Sequence, residues 1–351
     1  MRIGLYGMPT AGKTYILDRI DFLEVVVGSR LLREYDPDFD RQPEHIREKD
    51  RRDVAKIMMS KDSFIMDGHF AFGDVTAFTE EEGEMYDIYL YLYIDPSIIR
   101  KRMQESDKNR KYLKYDVEEW QNREIEGLRV YCHSHNKDFY VLDNPPENLN
   151  EDADRIVRFI RDIFDGYSVS NYATRCANDI LRKSNADTII LLDGDKTLTL
   201  EDSSNKVFGY KTRIYDGNFY TGYQTWKQFL EFNDYIVPKI EGVPVRFNNK
   251  VYREILDKDA FILTSGNEKI WRSISDQIKV TAYCGRQMAA ETKLYITKLL
   301  QNAGKSVIAY GDGMNDYYML KQSDVGYLVA KPDGTISRSL KGCSLEGITV
   351  V

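Results

Sequence analysis

Leu191-Leu192-Asp193-Gly194-Asp195-Lys196-Thr197-Leu198 is the stretch on which the reading of this chain turns. It closes an apolar run, Thr188 to Leu192, that has the length and composition of a buried strand. Side chains two residues apart in an extended segment leave it on the same side, so Asp193 and Asp195 are presented together at the strand's end. Such a pair can divide two tasks. One carboxylate attacks a phosphorus atom and carries the phosphoryl group, while the other protonates the leaving alcohol and then deprotonates the attacking water. Acidic residues after a strand are also ordinary loop formers, so the assignment depends on the segments further along the chain.

Three such segments occur in order. Phe261-Ile262-Leu263-Thr264-Ser265-Gly266-Asn267 is a second apolar strand ending in a hydroxyl and a glycine. Thr264 can hydrogen-bond a phosphoryl oxygen, and Gly266 lets backbone N–H groups approach it. Lys293 precedes a helix-like stretch, Leu294 to Asn302, where a cation offsets the charge of carboxylate and phosphate together. Val307-Ile308-Ala309-Tyr310-Gly311-Asp312-Gly313-Met314-Asn315-Asp316 is a strand ending in two carboxylates four residues apart, suited to a hard divalent cation such as Mg²⁺.

In this order the four segments resemble the haloacid dehalogenase-like phosphatases, and the string from Gly311 to Asp316 resembles their phosphoserine phosphatase branch. The resemblance covers roughly the second half of the chain and implies a Rossmann-like core with an inserted cap. It implies that Asp193 is the nucleophile and Asp195 the acid/base, with Thr264 and Lys293 on the phosphate. It implies Mg²⁺ held by Asp193, Asp312 and the backbone carbonyl of Asp195, with Asn315 and Asp316 supporting the metal and phosphate site. Glu201 echoes a substrate-contacting glutamate of that branch, and reads equally as a solvated loop acid beside Asp202. The segment from about 199 to 260 is rich in aromatics, among them Tyr210, Tyr215, Tyr220, Tyr223, Trp226 and Phe232. At this point in the family an insertion is a cap that closes over substrate and excludes water.

The first half opens on a short apolar strand, Met1 to Tyr6, followed by Gly7-Met8-Pro9-Thr10-Ala11-Gly12-Lys13-Thr14 and a helix from Lys13 onward. The turn fits G-x-x-x-x-G-K-[ST] without a mismatch: Gly7 and Gly12 let backbone N–H groups wrap phosphates, Lys13 reaches the outer phosphates of ATP, and Thr14 offers a hydroxyl to Mg²⁺. Val25 to Arg33 resembles the adenylate kinase segment in which a strand leads to a substrate-contacting helix bearing an arginine. Phe64 to His69 resembles the strand-Asp-Gly segment beside the metal and acceptor, so Asp67 is a candidate to orient water or act as general base. The Phe-Pro-Arg that adenylate kinases carry there is missing, which argues against an AMP-type acceptor, and His69, a histidine after a strand end, is more often a packed or hydrogen-bonded residue than a catalyst. A basic helix from Ser97 bears Arg100, Lys101 and Arg102, and Lys108 to Lys114 and Arg123 add charge on an expected lid, where Arg102 and Arg123 are candidate phosphate clamps. The alternative for these is a solvated face paired with acids such as Glu118, Glu119 and Glu124.

Asp165-Gly166-Tyr167-Ser168 is the linker candidate, giving a P-loop kinase-like domain with lid over 1–166 and a capped phosphatase-like domain over 167–351, both α/β with parallel sheets. At 351 residues and 42% hydrophobic content, the chain can supply a core for each. A net charge of −7 and a pI near 5.4 give no general attraction for nucleic acid or anionic membrane. Four scattered cysteines suggest neither zinc nor a disulfide framework but reduced thiols, and no leader or apolar run of ~18 residues is evident, so a cytoplasmic protein is expected. The expected function is a bifunctional kinase and phosphatase for a nucleotide, nucleoside or similar small phosphometabolite. The same order of domains resembles polynucleotide kinase-phosphatases that act on nucleic-acid ends, and an ATP-gated phosphatase is a third reading.

Overall fold

The computed structural model describes residues 1–143, 149–209, 219–233, 243 and 245–351. It divides into two compact units, Met1–Tyr167 and Ser168–Val351. The division falls between two residues with different allegiances. Tyr167 is buried against Phe159 and Tyr140, at ring-centroid distances of 5.3 and 6.0 Å, while the Ser168 hydroxyl accepts the Asn171 N–H at 3.1 Å and so caps the next helix.

In the first unit β1 (Arg2–Tyr6) leads into α1 (Lys13–Leu17), then β2 (Val25–Val27) and α2 (Gly28–Tyr35). α3 (Glu44–Met58) and β3 (Phe64–Asp67) follow, with a small hairpin, β4 (Ala71–Phe72) and β5 (Val75–Thr76). α4 (Glu80–Met85), β6 (Ile88–Tyr93), α5 (Pro96–Glu105), α6 (Val117–His135), β7 (Asp138–Asp143) and α7 (Leu149–Phe164) complete it. The sheet is wholly parallel in the order β2-β3-β1-β6-β7. Its central strands are buried on both faces, as helix-covered parallel strands must be: Leu5 and Leu90 on one face, and Tyr6 and Tyr91 on the other, have no exposed surface. Glu124 departs from the expectation of a solvated face. It is fully buried on α6, and its carboxylate accepts from the Ala71 N–H at 3.0 Å, Trp120 Nε1 at 3.2 Å and the Tyr91 hydroxyl at 2.8 Å. Three donors satisfy a group that desolvation would otherwise exclude.

The second unit runs α8 (Val169–Lys183), β8 (Thr188–Leu192), a tight turn over Gly194–Leu198, α9 (Ser203–Phe208), α10 (Gly222–Asn233) and α11 (Asn249–Ile255). β9 (Ala260–Thr264), α12 (Glu268–Ile278), β10 (Ala282–Cys284), α13 (Ala290–Asn302), β11 (Ser306–Gly311), α14 (Met314–Gln322), β12 (Val325–Leu328) and β13 (Ile348–Val350) follow. All six strands are parallel, in the order β10-β9-β8-β11-β12-β13. Helix α13 starts earlier than the apolar period suggests, so Lys293 lies within its first turns rather than before it. The Thr292 hydroxyl accepts the Ala289 N–H at 3.3 Å and extends the start over Ala290 to Thr292.

Trp271 on α12 is fully buried and supports two loops at once. A Cβ added at Gly194 would lie 2.3 Å from its Cζ2, and one added at Gly266 would lie 2.3 Å from its Nε1. Glycine is required at both positions because the backbone rests directly on the indole. Gly266→Ala is therefore expected to lower the stability of the second unit by about 1–3 kcal/mol through overpacking. Urea unfolding followed by tryptophan fluorescence measures it, and an unchanged midpoint would refute the close contact.

Candidate functional site

The second unit's strand order reverses between β8 and β11, where open parallel sheets bind ligands beyond their carboxyl ends. Asp193 follows β8, Thr264 ends β9 and Asp312 follows β11. These three, with Asp195 and Asp316, border one cavity of about 240 Å³. Lys293 comes beneath them from α13. It has no exposed surface, and its Nζ donates to Asp193 Oδ1 and Asp316 Oδ1, each at 2.6 Å. The other oxygen of Asp316 accepts the backbone N–H groups of Asp312 at 3.0 Å and Gly313 at 3.2 Å, which fixes the β11–α14 turn. Asp195 Oδ1 accepts the Ser203 N–H at 2.7 Å. Thr264 Oγ1 accepts the Gly266 N–H at 3.1 Å, folding Ser265 and Gly266 along the cavity edge.

Among the described residues, one carboxylate oxygen each from Asp193, Asp312 and Asp316 lie within 4.8 Å of one another. When ionised, three carboxylates against one ammonium leave two negative charges, the donor type and charge that a hard divalent cation takes, so the residues present fit Mg²⁺. The Asp195 side chain is not of this group. Burial pushes Asp193 well above the usual carboxylate range, Asp316 adds to the push, and Lys293 opposes it. Burial, then Asp202, raises Asp195 to about 6, and burial, then Asp316, raises Asp312 to about 7. Burial works against the charge of Lys293, but Asp193 and Asp316 together hold it above the ordinary lysine range.

Several bordering residues carry no signal that pattern reading detects. Lys196 has left-handed backbone, φ 61°, and its Nζ lies 3.3 Å from Asp202 Oδ2. Ser337 and Ser339, in a segment that reads only as polar loop, border the cavity 2.9 Å apart, and Ser339 Oγ accepts the Met314 N–H at 3.1 Å. Tyr220 and Gln228 reach the cavity from the expected cap. Tyr223 and Trp226 are buried there and stacked on each other, whereas Tyr210 and Tyr215 lie outside the described residues, as does the Phe232 side chain. Glu201 does not border the cavity: in a partly exposed setting it accepts the Arg246 N–H at 3.1 Å and pairs with Arg246 Nε at 2.5 Å.

In the first unit the loop from Met8 to Thr14 borders a cavity of about 780 Å³ with Asp67 and His69, while Gly7 lies off its wall. Gly12 has φ 99°, which glycine tolerates, and an added Cβ there would meet nothing within 4 Å, so the loop leaves an open cradle that fits a phosphate chain. Lys13 is buried; its Nζ donates to the carbonyls of Gly7 at 2.5 Å and Met8 at 3.3 Å and lies 3.5 Å from His69 Nε2. Burial lowers it to about 8 against the pull of Asp67 and Glu124. Burial, then Lys13, takes His69 well below the ordinary histidine range, so a neutral ring faces the ammonium. Asp67, ending β3, accepts the Gly28 N–H at 2.8 Å.

The two candidate clamps lie elsewhere. Arg102 braces the loop from outside, donating to the carbonyls of Thr10 at 3.1 Å and Ala11 at 3.4 Å, and Arg123 holds the Gly73 carbonyl; neither borders the cavity. The cations that do include Lys108 and Lys111, from the expected lid, and Arg33, Arg47 and Arg51. Arg47 and Arg51 were legible in principle, because their spacing of four continues to Ala55 on one face of α3.

No protein-family model matches the chain, and no curated protein matches it. Among solved structures, a HAD family hydrolase from Salmonella enterica serovar Typhi is 16% identical, with a TM-score of 0.33 over 48% of this chain and 69% of its own. Shikimate kinase from Acinetobacter baumannii, in complex with shikimate, is 17% identical, with a TM-score of 0.35 over 46% of this chain and 93% of its own. A phosphoserine phosphatase in apo form is 15% identical, with a TM-score of 0.27 over 42% of this chain and 88% of its own. No helix among the described residues is long and apolar enough to cross a membrane.

Glu82 on α4, bordering the first unit's cavity, accepts the Tyr6 hydroxyl at 2.6 Å, and burial raises it from 4.5 to about 7 although Tyr6 and Arg51 favour its charge. Between those values the folded chain keeps a proton that the unfolded chain has released, so this group's contribution to stability declines as pH rises through that window. Thermal unfolding at pH 5 and pH 7.5 should show Glu82→Gln losing less Tm over the interval than the parent chain. Identical losses would mean that Glu82 titrates normally.

Proposed function

We propose that the chain is a bifunctional enzyme: an ATP-dependent kinase in residues 1–166 and a Mg²⁺-dependent phosphomonoester phosphatase in 167–351, with a cap over about 199–260. Its substrates are nucleotides, nucleosides or comparable small phosphometabolites. The observation that carries the reading is Lys293 held 2.6 Å from both Asp193 and Asp316 at a sheet's switch point, beside Asp312, Asp195 and Thr264. Structural acids are seldom gathered so densely in a buried cavity unless a site needs them.

In the phosphatase, an Asp193 carboxylate oxygen attacks the phosphorus of the monoester; the bond to the leaving oxygen breaks and Asp195 gives that oxygen its proton. Asp195, now ionised, takes a proton from water, whose oxygen attacks the phosphorus of the aspartyl phosphate and returns Asp193 with free phosphate. A raised Asp195 suits the first of these steps, since the group must start protonated. Thr264 orients a phosphoryl oxygen, and Lys293, paired from beneath with Asp193 and Asp316, offsets the negative charge that gathers there. Mg²⁺, which Asp193, Asp312, Asp316 and the Asp195 carbonyl would hold, supplies further neutralisation of that charge.

In the kinase, ATP supplies the phosphoryl group. Lys13 and the N–H groups from Gly7 to Thr14 hold its phosphates, Thr14 offers its hydroxyl to a Mg²⁺ ion, and Asp67 orients the acceptor or takes its proton. Arg102 positions the loop by fixing its carbonyls.

Two variants separate the halves. Lys13→Ala should abolish transfer from labelled ATP to a panel of nucleosides and nucleotides while leaving hydrolysis of p-nitrophenyl phosphate within about twofold; Asp193→Asn should do the reverse, with hydrolysis down by about 10³-fold or more. Loss of hydrolysis in Lys13→Ala would favour an ATP-gated phosphatase. Labelling confined to 5′-OH oligonucleotides would favour a polynucleotide kinase-phosphatase.

A further inference from the structure

We propose that Arg102 is a positioning residue of the ATP site: from outside the phosphate loop it fixes two peptide planes in a shape that Thr10 by itself disfavours. The inference rests on the kinase reading and deepens it. Three observations support it.

The first is a side chain that does not suit its backbone. The Ala11 N–H donates to the Met8 carbonyl at 3.2 Å and closes a turn over Met8-Pro9-Thr10-Ala11. Pro9 at its second position and φ 68° at its third make this a type II turn, whose third residue is ordinarily glycine. Of the five non-glycine residues with positive φ among the described residues, Thr10 alone is β-branched, a class for which that region is a genuine outlier. Gly12, two residues on, takes φ 99° without the penalty. Thr10 is thus the strained member of the loop, and strain of this kind persists only where surrounding contacts over-determine it.

The second is what holds it there. Arg102 Nη1, from α5, donates to the carbonyls of Thr10 at 3.1 Å and Ala11 at 3.4 Å. Carbonyl and N–H of a planar trans peptide point in opposite directions, so an Ala11 oxygen held toward Arg102 aims the Gly12 N–H away from it. Gly12 borders the cavity and Arg102 does not, and a Cβ added at Gly12 would meet nothing within 4 Å. A donor turned from Arg102 at this position serves the open cradle, where a phosphate oxygen would accept it.

The third is where Arg102 stands. Its helix continues into the segment that brings Lys108 and Lys111 to the same cavity. Arg110 ties that segment back onto α5 by donating Nε and Nη2 to the Gln104 carbonyl, at 3.3 and 3.0 Å. One piece of chain thus fixes the loop from behind and lines the cavity from the front. Arg102 acts on the nucleotide through the loop, without touching it.

The test uses the full chain with Mg²⁺ and adenylyl imidodiphosphate, an ATP analogue whose outer phosphate is not transferred, and reads Kd by titration calorimetry. Arg102→Met should weaken binding by at least about tenfold, the loss expected when a charged donor is taken from two backbone acceptors. In a Thr10→Gly background, where positive φ carries no penalty, the same Arg102→Met should cost less than about threefold. Direct contact between Arg102 and the nucleotide, or mere loss of a positive charge, would cost the same in both backgrounds. Equal costs in the two backgrounds, or no weakening in the first, overturns this inference alone. If Arg102→Met abolishes the first unit's thermal unfolding transition, Arg102→Lys, which keeps a donor of shorter reach, takes its place in the same comparison. A parent chain that binds the analogue no better than Lys13→Ala does overturns the kinase reading itself, and this inference with it.

Discussion

The second unit is organised around a single ammonium group. Lys293 is completely removed from water, a state that strongly disfavours its charge, and it stays charged because Asp193 and Asp316 lie 2.6 Å away on either side. Those two acids arrive from different strands: Asp193 from the end of β8, Asp316 from the helix that follows β11. The lysine therefore ties together the two central strands at the point where the sheet changes direction. Asp316 is held in turn by the N–H groups of the turn before it, and Gly311 has to lack a side chain because a Cβ there would lie 2.3 Å from that of Asp316. Removing either acid would leave a buried charge with half its compensation, which is why loop, helix and strand positions here are mutually dependent.

Rigidity beneath the acids comes from a different source. Trp271 fills the space under both Gly194 and Gly266, so the loops bearing Asp193, Asp195 and Thr264 rest on one indole. Polar geometry above and aromatic packing below thus converge on the same few backbone atoms. A side chain placed by both is held within a narrow range, which is what the proposed role of Asp193 as nucleophile requires.

How much of this was legible from the amino-acid sequence depends on where each signal resides. The strands ending at Leu192, Thr264 and Gly311 announce themselves as local apolar runs, and Asp193, Asp195, Thr264 and Asp312 were identifiable because each sits at the end of one. The parallel arrangement followed from the alternation of strands and helices. Lys293 was identified as a residue but placed before its helix, because the hydroxyl that extends the helix start, Thr292, acts through a cap and not through apolar periodicity. Glu124 defeated the pattern altogether. By its neighbours in sequence it belongs to a charged helix face, and only the folded chain brings Tyr91, Trp120 and the Ala71 N–H to it. Arg102 and Arg123 were singled out for charge alone, and charge does not reveal whether a guanidinium meets a ligand or a backbone carbonyl of its own chain. Ser337 and Ser339 reach the cavity from the far end of the sequence, a proximity that no short-range pattern encodes.

The two cavities face phosphate with opposite charge balances, and this has a physical consequence. Around the first unit's cavity, Arg33, Arg47, Arg51, Lys108, Lys111 and Lys13 outnumber Asp40, Asp67 and Glu82. Lys13 itself rests on neutral carbonyls and is lowered to about 8, so an anion arriving there would restore the charge that burial opposes. Around the second, Asp193, Asp195, Asp202, Asp312 and Asp316 face Lys196 and the already neutralised Lys293. A phosphate dianion, as the proposed substrate, would meet those carboxylates with Lys196 as the one cation on the described lining, since Lys293 is committed to two carboxylates beneath it. The first cavity is thus poised to attract an anion by its own side chains, whereas in the proposed phosphatase a divalent ion joining Asp193, Asp312 and Asp316 would offset the charge of the second. In that reading the two halves of one chain would admit a phosphate on different terms.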